Sequence, residues 1–182
     1  MISERLLFLQ QRKNHATHWN ISWNLGVVLS ELVQMHKPKR ILEIGTSNGF
    51  STLWLAKFLP KDSKIITLEI DEGRFGEAKT NFAIAGCSAS IEQRLGDVFE
   101  ILGKEEFEPF DFVFLDAAHK KYKEVIELLE KKKLLTSNVL IVCDNIISHT
   151  YMGDFVSWMN LAYTCQVIDM DSGFLVAKVK MQ

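Results

Sequence analysis

Arg40-Ile41-Leu42-Glu43-Ile44-Gly45-Thr46-Ser47-Asn48-Gly49-Phe50-Ser51 is the stretch on which the fold turns. A short apolar run enters a turn carrying two glycines and passes into residues suited to a helix, so 40–44 is expected as a strand and 50–59 as a helix stopped by Pro60. Upstream, Ile21, Leu25, Val28, Leu29, Leu32 and Val33 recur at helical spacing over 21–36 and end just before Pro38. Downstream the alternation repeats. Strands are predicted at 64–68, 90–94, 111–115 and 138–143, with helices at 72–85, capped by Gly86, and at 120–133. A helix near 153–162 follows, and then 166–168 and 174–179 flank Asp171-Ser172-Gly173 as a hairpin.

Strands alternating with helices imply an α/β domain with a mostly parallel sheet, right-handed crossovers and helices on both faces. The apolar run Val139-Leu140-Ile141-Val142-Cys143 suits a strand buried on both sides. The C-terminal hairpin adds an antiparallel edge, giving seven strands in all. Such sheets bind ligands outside the carboxyl ends of their strands. Those ends read Glu43-Ile44-Gly45, Glu69-Ile70-Asp71, Gly96-Asp97, Asp116-Ala117-Ala118-His119 and Asp144-Asn145, an acidic set in a nearly neutral chain.

The 182 residues fit one domain, expected as an N-terminal helical cap over 1–36 and a cofactor-binding core over 37–182. With 47% hydrophobic and 24% charged residues, extended disorder is excluded. A formal charge of −2 gives no general attraction to nucleic acid or anionic membranes. Cys87, Cys143 and Cys165 form no C-x-x-C pair and read as reduced core residues. No apolar run suits a signal peptide or a membrane span, so the cytoplasm is the expected location.

The first turn lacks G-x-G-x-x-G, and its Glu43 would repel a pyrophosphate while suiting an ammonium group, directly or through water. Glu69 can accept both hydroxyls of a ribose, and Gly96-Asp97 can meet an adenine edge. One polar strand end is thus offered to each part of S-adenosylmethionine. Asp116, Asp144 and Asn145 supply three hard oxygen donors, suited to Mg²⁺ or a similar divalent cation. His119 is placed to act as a general base, with Lys120 or Lys121 beside it as a source of positive charge. His15, His18, Trp19, Trp23, Tyr151, Met152 and Trp158 are candidates for an aromatic wall; Trp23 and Trp158 suit a core or interface better.

In order and spacing, Ile41–Ser51, Ile66–Asp71, Phe110–Ala118 with Tyr122, and Cys143-Asp144-Asn145 resemble the cation-dependent class I O-methyltransferases, the catechol and caffeoyl-coenzyme A O-methyltransferases and their bacterial relatives. The resemblance covers roughly 24–180 and implies a Rossmann-like methyltransferase sandwich. It implies that Glu43, Gly45, Thr46, Ser47, Gly49 and Ser51 hold the methionine part, Glu69 the ribose, and Ile70, Gly96, Asp97 and Val98 the adenine surroundings. It also implies that Asp116, Asp144 and Asn145 hold the cation, with Asp116 between cation and cofactor. Methyl transfer from the sulfonium to a cation-acidified hydroxyl of a small, catechol-like acceptor is the implied reaction. His119 stands where these relatives carry a lysine. Leu135-Thr136-Ser137-Asn138 lacks the usual glycine pair and is expected as a variant loop. The N-terminal part shapes the acceptor pocket in relatives and often a dimer contact, so a homodimer is an expectation. A hydroxylated tRNA base as acceptor, a catalytically silent S-adenosylmethionine-binding protein, and an NAD-dependent oxidoreductase are the alternatives.

Overall fold

The computed structural model describes residues 2–12 and 18–180. Helix α1 (Ile2–Gln11) and helix α2 (Trp23–His36) precede β1 (Arg40–Ile44) and α3 (Phe50–Ala56). β2 (Lys64–Glu69), α4 (Glu72–Ala85), β3 (Ile91–Leu95), α5 (Val98–Lys104), β4 (Phe110–Leu115) and α6 (Tyr122–Lys131) follow. β5 (Leu135–Cys143), α7 (Met152–Ala162), β6 (Tyr163–Ile168) and β7 (Phe174–Val179) complete the order. The strands lie as β3-β2-β1-β4-β5-β7-β6, parallel through β5 and antiparallel at β7 and β6. This is the mostly parallel sheet the alternation predicts and the Rossmann-like arrangement the resemblance implies, with the order reversing between β1 and β4, where a crevice must open.

Residue parity in the strands sorts the core into two layers. Leu42, Ile44, Val113, Leu115, Ile141 and Cys143 pack with α5, α6 and α7, whereas Ile41, Phe112, Phe114, Leu140 and Val142 pack with α1 to α4. Glu43 belongs by parity to the second layer and faces α3.

Ser22 caps α2 by accepting from the Leu25 amide at 2.9 Å, so that helix starts at Trp23, two residues after the predicted boundary. Two helices are absent from the sequence reading. α1 is short, but Leu6 and Leu9 bury it against the second core layer. α5 begins at an Asp97 cap and buries Ile101 and Leu102. Residues 135–138 are not a loop. They extend β5, with Leu135 paired to Phe110 across an irregularity in register. No helix of the described residues is long and apolar enough to cross a membrane.

Candidate active site

A cavity of about 740 Å³ opens at the carboxyl ends of β1, β2, β4 and β5. Gly45, Thr46, Ser47, Ser51, Glu69, Ile70, Asp116, His119, Asp144 and Asn145 all line it. The first turn is bound to its neighbour, the amides of Gly45 and Thr46 donating to the Leu68 carbonyl at 3.0 and 3.2 Å. Gly45 has φ +104°, and a Cβ there would sit 2.8 Å from both the Ala117 Cβ and the Asp116 carbonyl. Only glycine lets the β1 and β4 turns approach this closely.

Glu69 is 6% exposed and fixed by its own strand end. Its Oε2 accepts the Ser47 amide at 2.7 Å, while Oε1 accepts those of Ile70 and Asp71 at 2.9 Å. Three of the carboxylate's roughly four acceptor sites are so used, and Oε2 keeps one for a hydroxyl in the cavity.

Six of the residues predicted to bind cofactor or take part in catalysis do not line the cavity. Glu43 is fully buried, its carboxylate accepting hydrogen bonds from Ser51 Oγ at 2.6 Å, Thr67 Oγ1 at 2.6 Å and Thr52 Oγ1. Strand parity turns it into the α3 layer, so it acts on the cavity through the hydroxyl of Ser51 and through its field at Asp116. Gly49, with φ +85°, sits at the start of α3 beside the Phe82 ring. Gly96 donates its amide to the Glu69 carbonyl at 2.8 Å. Asp97 accepts from the Phe99 and Glu100 amides as the cap of α5, and Val98 packs on the core. Lys120 places Nζ 5.8 Å from the Tyr151 ring centre.

Burial pushes the Glu43 carboxyl up to about 7 despite its three hydroxyl donors. Raised from an unfolded value near 4.5, it holds its proton more tightly in the folded state. Stability therefore falls as pH rises through the window from about 4.5 to 7 and levels off above it. The contribution lost across that window is at most about 3 kcal/mol. Thermal melting between pH 5 and pH 8 is expected to show this decline, with Glu43→Gln reducing it.

The second constellation comes from β4 and β5. Asp116 and Asp144 line the cavity together, close enough for the charge of Asp144 to act on Asp116. Burial first, then the charges of Asp144 and Glu43, raise Asp116 well above the carboxylate range. Burial also raises Asp144, against hydrogen bonds from Ser172 Oγ and the Asn145 amide, each at 2.7 Å. Two carboxylates facing one cavity, Asp144 buried and Asp116 half-buried, need a proton or a cation between them. The Asn145 amide nitrogen lies 3.4 Å from Asp116 Oδ1, a long contact; turning the carboxamide over would present its oxygen instead. Among the described residues no three His, Cys, Asp or Glu side chains form a metal-binding group, so the oxygen set is two carboxylates and this carboxamide.

His119 lines the cavity in a single turn of 3-10 helix (His119–Lys121). Burial, His149 and Lys120 together lower its pKa from the usual histidine value, which favours the neutral, proton-accepting imidazole at pH 7.

Sequence reasoning missed the wall made by Asn20, Ile21 and Ser22, which line the cavity together with the predicted His18 and Trp19. The His18 carbonyl accepts from Ser47 Oγ at 2.6 Å and so ties this segment to the first turn. Arg74 on α4 also lines the cavity, 4.7 Å from the Trp19 ring centre. Trp23 packs edge-on against Trp54 at 4.9 Å, Trp158 stacks on Phe155 and Met152 is buried, all away from the cavity. His15 lies outside the described residues.

Against known families, residues 4–169 match the one described as O-methyltransferase. The chain belongs to the O-methyltransferase family. This O-methyltransferase-family chain is 37% identical over 131 residues to a catechol O-methyltransferase from Niastella koreensis, covering 70% of this chain and 58% of that relative. It thus spans little more than half the length of that relative. Among solved structures, an O-methyltransferase from Bacillus cereus in complex with SAH superposes with a TM-score of 0.84 at 28% identity, covering 98% of this chain and 90% of that one. An O-methyltransferase of tomaymycin synthesis from Streptomyces achromogenes, in complex with SAM, gives 0.83 at 26%, covering 99% and 89%.

Proposed function

We propose that this chain transfers a methyl group from S-adenosylmethionine to a hydroxyl of a small, catechol-like aromatic acceptor with the help of a divalent cation such as Mg²⁺. The observation that carries this reading is the placement of Asp116, which lines one cavity together with Glu69 and with Asp144 and Asn145.

Glu69 accepts a ribose hydroxyl, and its three amide donors keep it oriented. Gly45, Thr46, Ser47 and Ser51 border the methionine part, and exposed Ile70 offers an apolar face to the adenine. Asp116, Asp144 and Asn145 would hold the cation, which when bound supplies Lewis acidity to a neighbouring hydroxyl. Asp116 and Asp144 would be ionised in that state, so binding would be opposed by the protons that their burial favours. His119, neutral and open to the cavity, takes the acceptor proton. His18, Trp19 and Ile21 close the side opposite the strands and limit water.

The test is methylation of catechol with SAH binding measured in parallel. SAH affinity is expected to survive EDTA, whereas turnover is lost with EDTA and restored by Mg²⁺. Turnover indifferent to EDTA would remove the cation from this reading, and methylation of tRNA in place of catechol would move the acceptor to a nucleic acid.

Ser172 offers a finer check, because its hydroxyl orients Asp144 from the turn between β6 and β7. Ser172→Ala is expected to weaken Mn²⁺ binding, followed by calorimetry, about tenfold with SAH affinity unchanged.

A further inference from the structure

Among the described residues no hydrogen bond or ion pair holds the His119 ring. Its surroundings are other rings. The His149 centroid lies 4.5 Å away with planes 21° apart, and that of Tyr151 lies 6.2 Å away at 18°. His149 and Tyr151 are themselves 5.1 Å apart at 10°, so three nearly parallel rings form one cluster, with Tyr122 meeting His119 edge-on at 6.5 Å.

The loop that carries His149 is anchored. The amides of Ile146 and Ile147 donate to the carbonyls of Gly173 and Ser172, both at 2.9 Å, and Ser148 Oγ donates to the Ser172 carbonyl at 3.2 Å. Gly173 has φ +71°, and a Cβ there would lie 2.3 Å from Ile147, so the turn between β6 and β7 sits tight against the loop. The Met152 amide returns to the His149 carbonyl at 3.0 Å at the start of α7. An imidazole without a hydrogen-bond partner has a broad second side-chain torsion, and packing must set its plane.

We propose that His149 and Tyr151 are positioning residues that hold the His119 imidazole in one plane, so that its free edge stays turned toward the cavity and accepts the proton of the acceptor hydroxyl. This rests on the reading of His119 as the proton acceptor. The proton passes from the hydroxyl to an imidazole nitrogen, leaving the electron pair on the acceptor oxygen for attack on the sulfonium methyl, and it departs to solvent afterwards. The ring plane matters because an acceptor oxygen must meet the nitrogen lone pair within that plane, and small misplacements of reacting groups are costly.

The experiment compares His149→Ala, His149→Phe, Tyr151→Ala and His119→Ala with the native chain. Catechol is the acceptor, SAH affinity is measured by calorimetry, and 4-nitrocatechol is an absorbing probe of the bound phenolate in the presence of SAH and Mg²⁺. His149→Ala is expected to lower kcat roughly 10- to 100-fold. Tyr151→Ala should lower it less, with the KM for S-adenosylmethionine and the SAH affinity unchanged in both. His149→Phe, which keeps a flat ring without a titrating group, is expected to restore most of the rate. Native kcat in His149→Ala overturns the proposal, as does a His149→Phe rate as low as that of His149→Ala, because the plane would then not be what matters. Native kcat in His119→Ala, or neither turnover nor a bound phenolate signal in the native chain, overturns instead the reading of His119 on which the proposal stands.

Discussion

Asp144→Ala is expected to lower kcat for methylation of catechol by about 10³-fold while leaving SAH affinity within roughly threefold of native. Asp144 contributes half of the carboxylate pair that would hold the cation, and its removal leaves Asp116 and Asn145, too few hard donors for firm binding. The cofactor half of the cavity does not depend on it, since Glu69 is held by the Ser47, Ile70 and Asp71 amides. Asp116 also gains from the change in one respect: losing a like charge lets its pKa fall back toward the carboxylate range. This relief opposes the loss of the acceptor shared by the Ser172 hydroxyl and the Asn145 amide, so thermal melting should change by only a few degrees. Steady-state rates with SAH calorimetry on the same samples check this. A variant that loses SAH affinity and keeps turnover would mean that the cofactor and cation halves have been exchanged.

Glu69→Ala is expected to give the opposite pattern, weakening SAH by about 10- to 100-fold. A carboxylate with one acceptor site left for a hydroxyl makes one charge-assisted hydrogen bond, and losing it costs about 1.5–3 kcal/mol of binding. Stability should drop as well, because three amides lose their shared acceptor at a site only 6% exposed. Glu69→Gln separates the two effects. It keeps an acceptor oxygen for part of the frame while removing the charge, so its melting temperature should lie nearer to native than that of Glu69→Ala, with SAH still weakened. Calorimetry and thermal melting on the pair check this.

The strand ends were readable because each is a short polar stop after an apolar run, and the alternation placed all of them on one side of the sheet. That is why Glu69, Asp116, Asp144 and Asn145 share a cavity as their spacing suggests. Asp97 was read as a ligand group and is found as a helix cap, and both uses draw on the same property of a short carboxylate beside backbone amides. Helix α5 was overlooked because seven residues carry too little periodicity to register. His149 gave no signal, since a lone histidine in a loop reads as nothing until another ring is brought against it.

Local order along the chain was enough to determine the α/β class, the parallel sheet with its antiparallel edge, and the acidic rim, because strand and helix periods and turn residues are properties of neighbours in sequence. Tertiary structure alone decided which rim residues reach the cavity. Parity within β1 sends Glu43 into the α3 layer behind three hydroxyls, the turn between β6 and β7 delivers Ser172 to Asp144, and the loop after β5 sets His149 on His119. Each of these depends on contacts between segments far apart in the chain, whose distances are set by how the layers pack rather than by any residue's near neighbours.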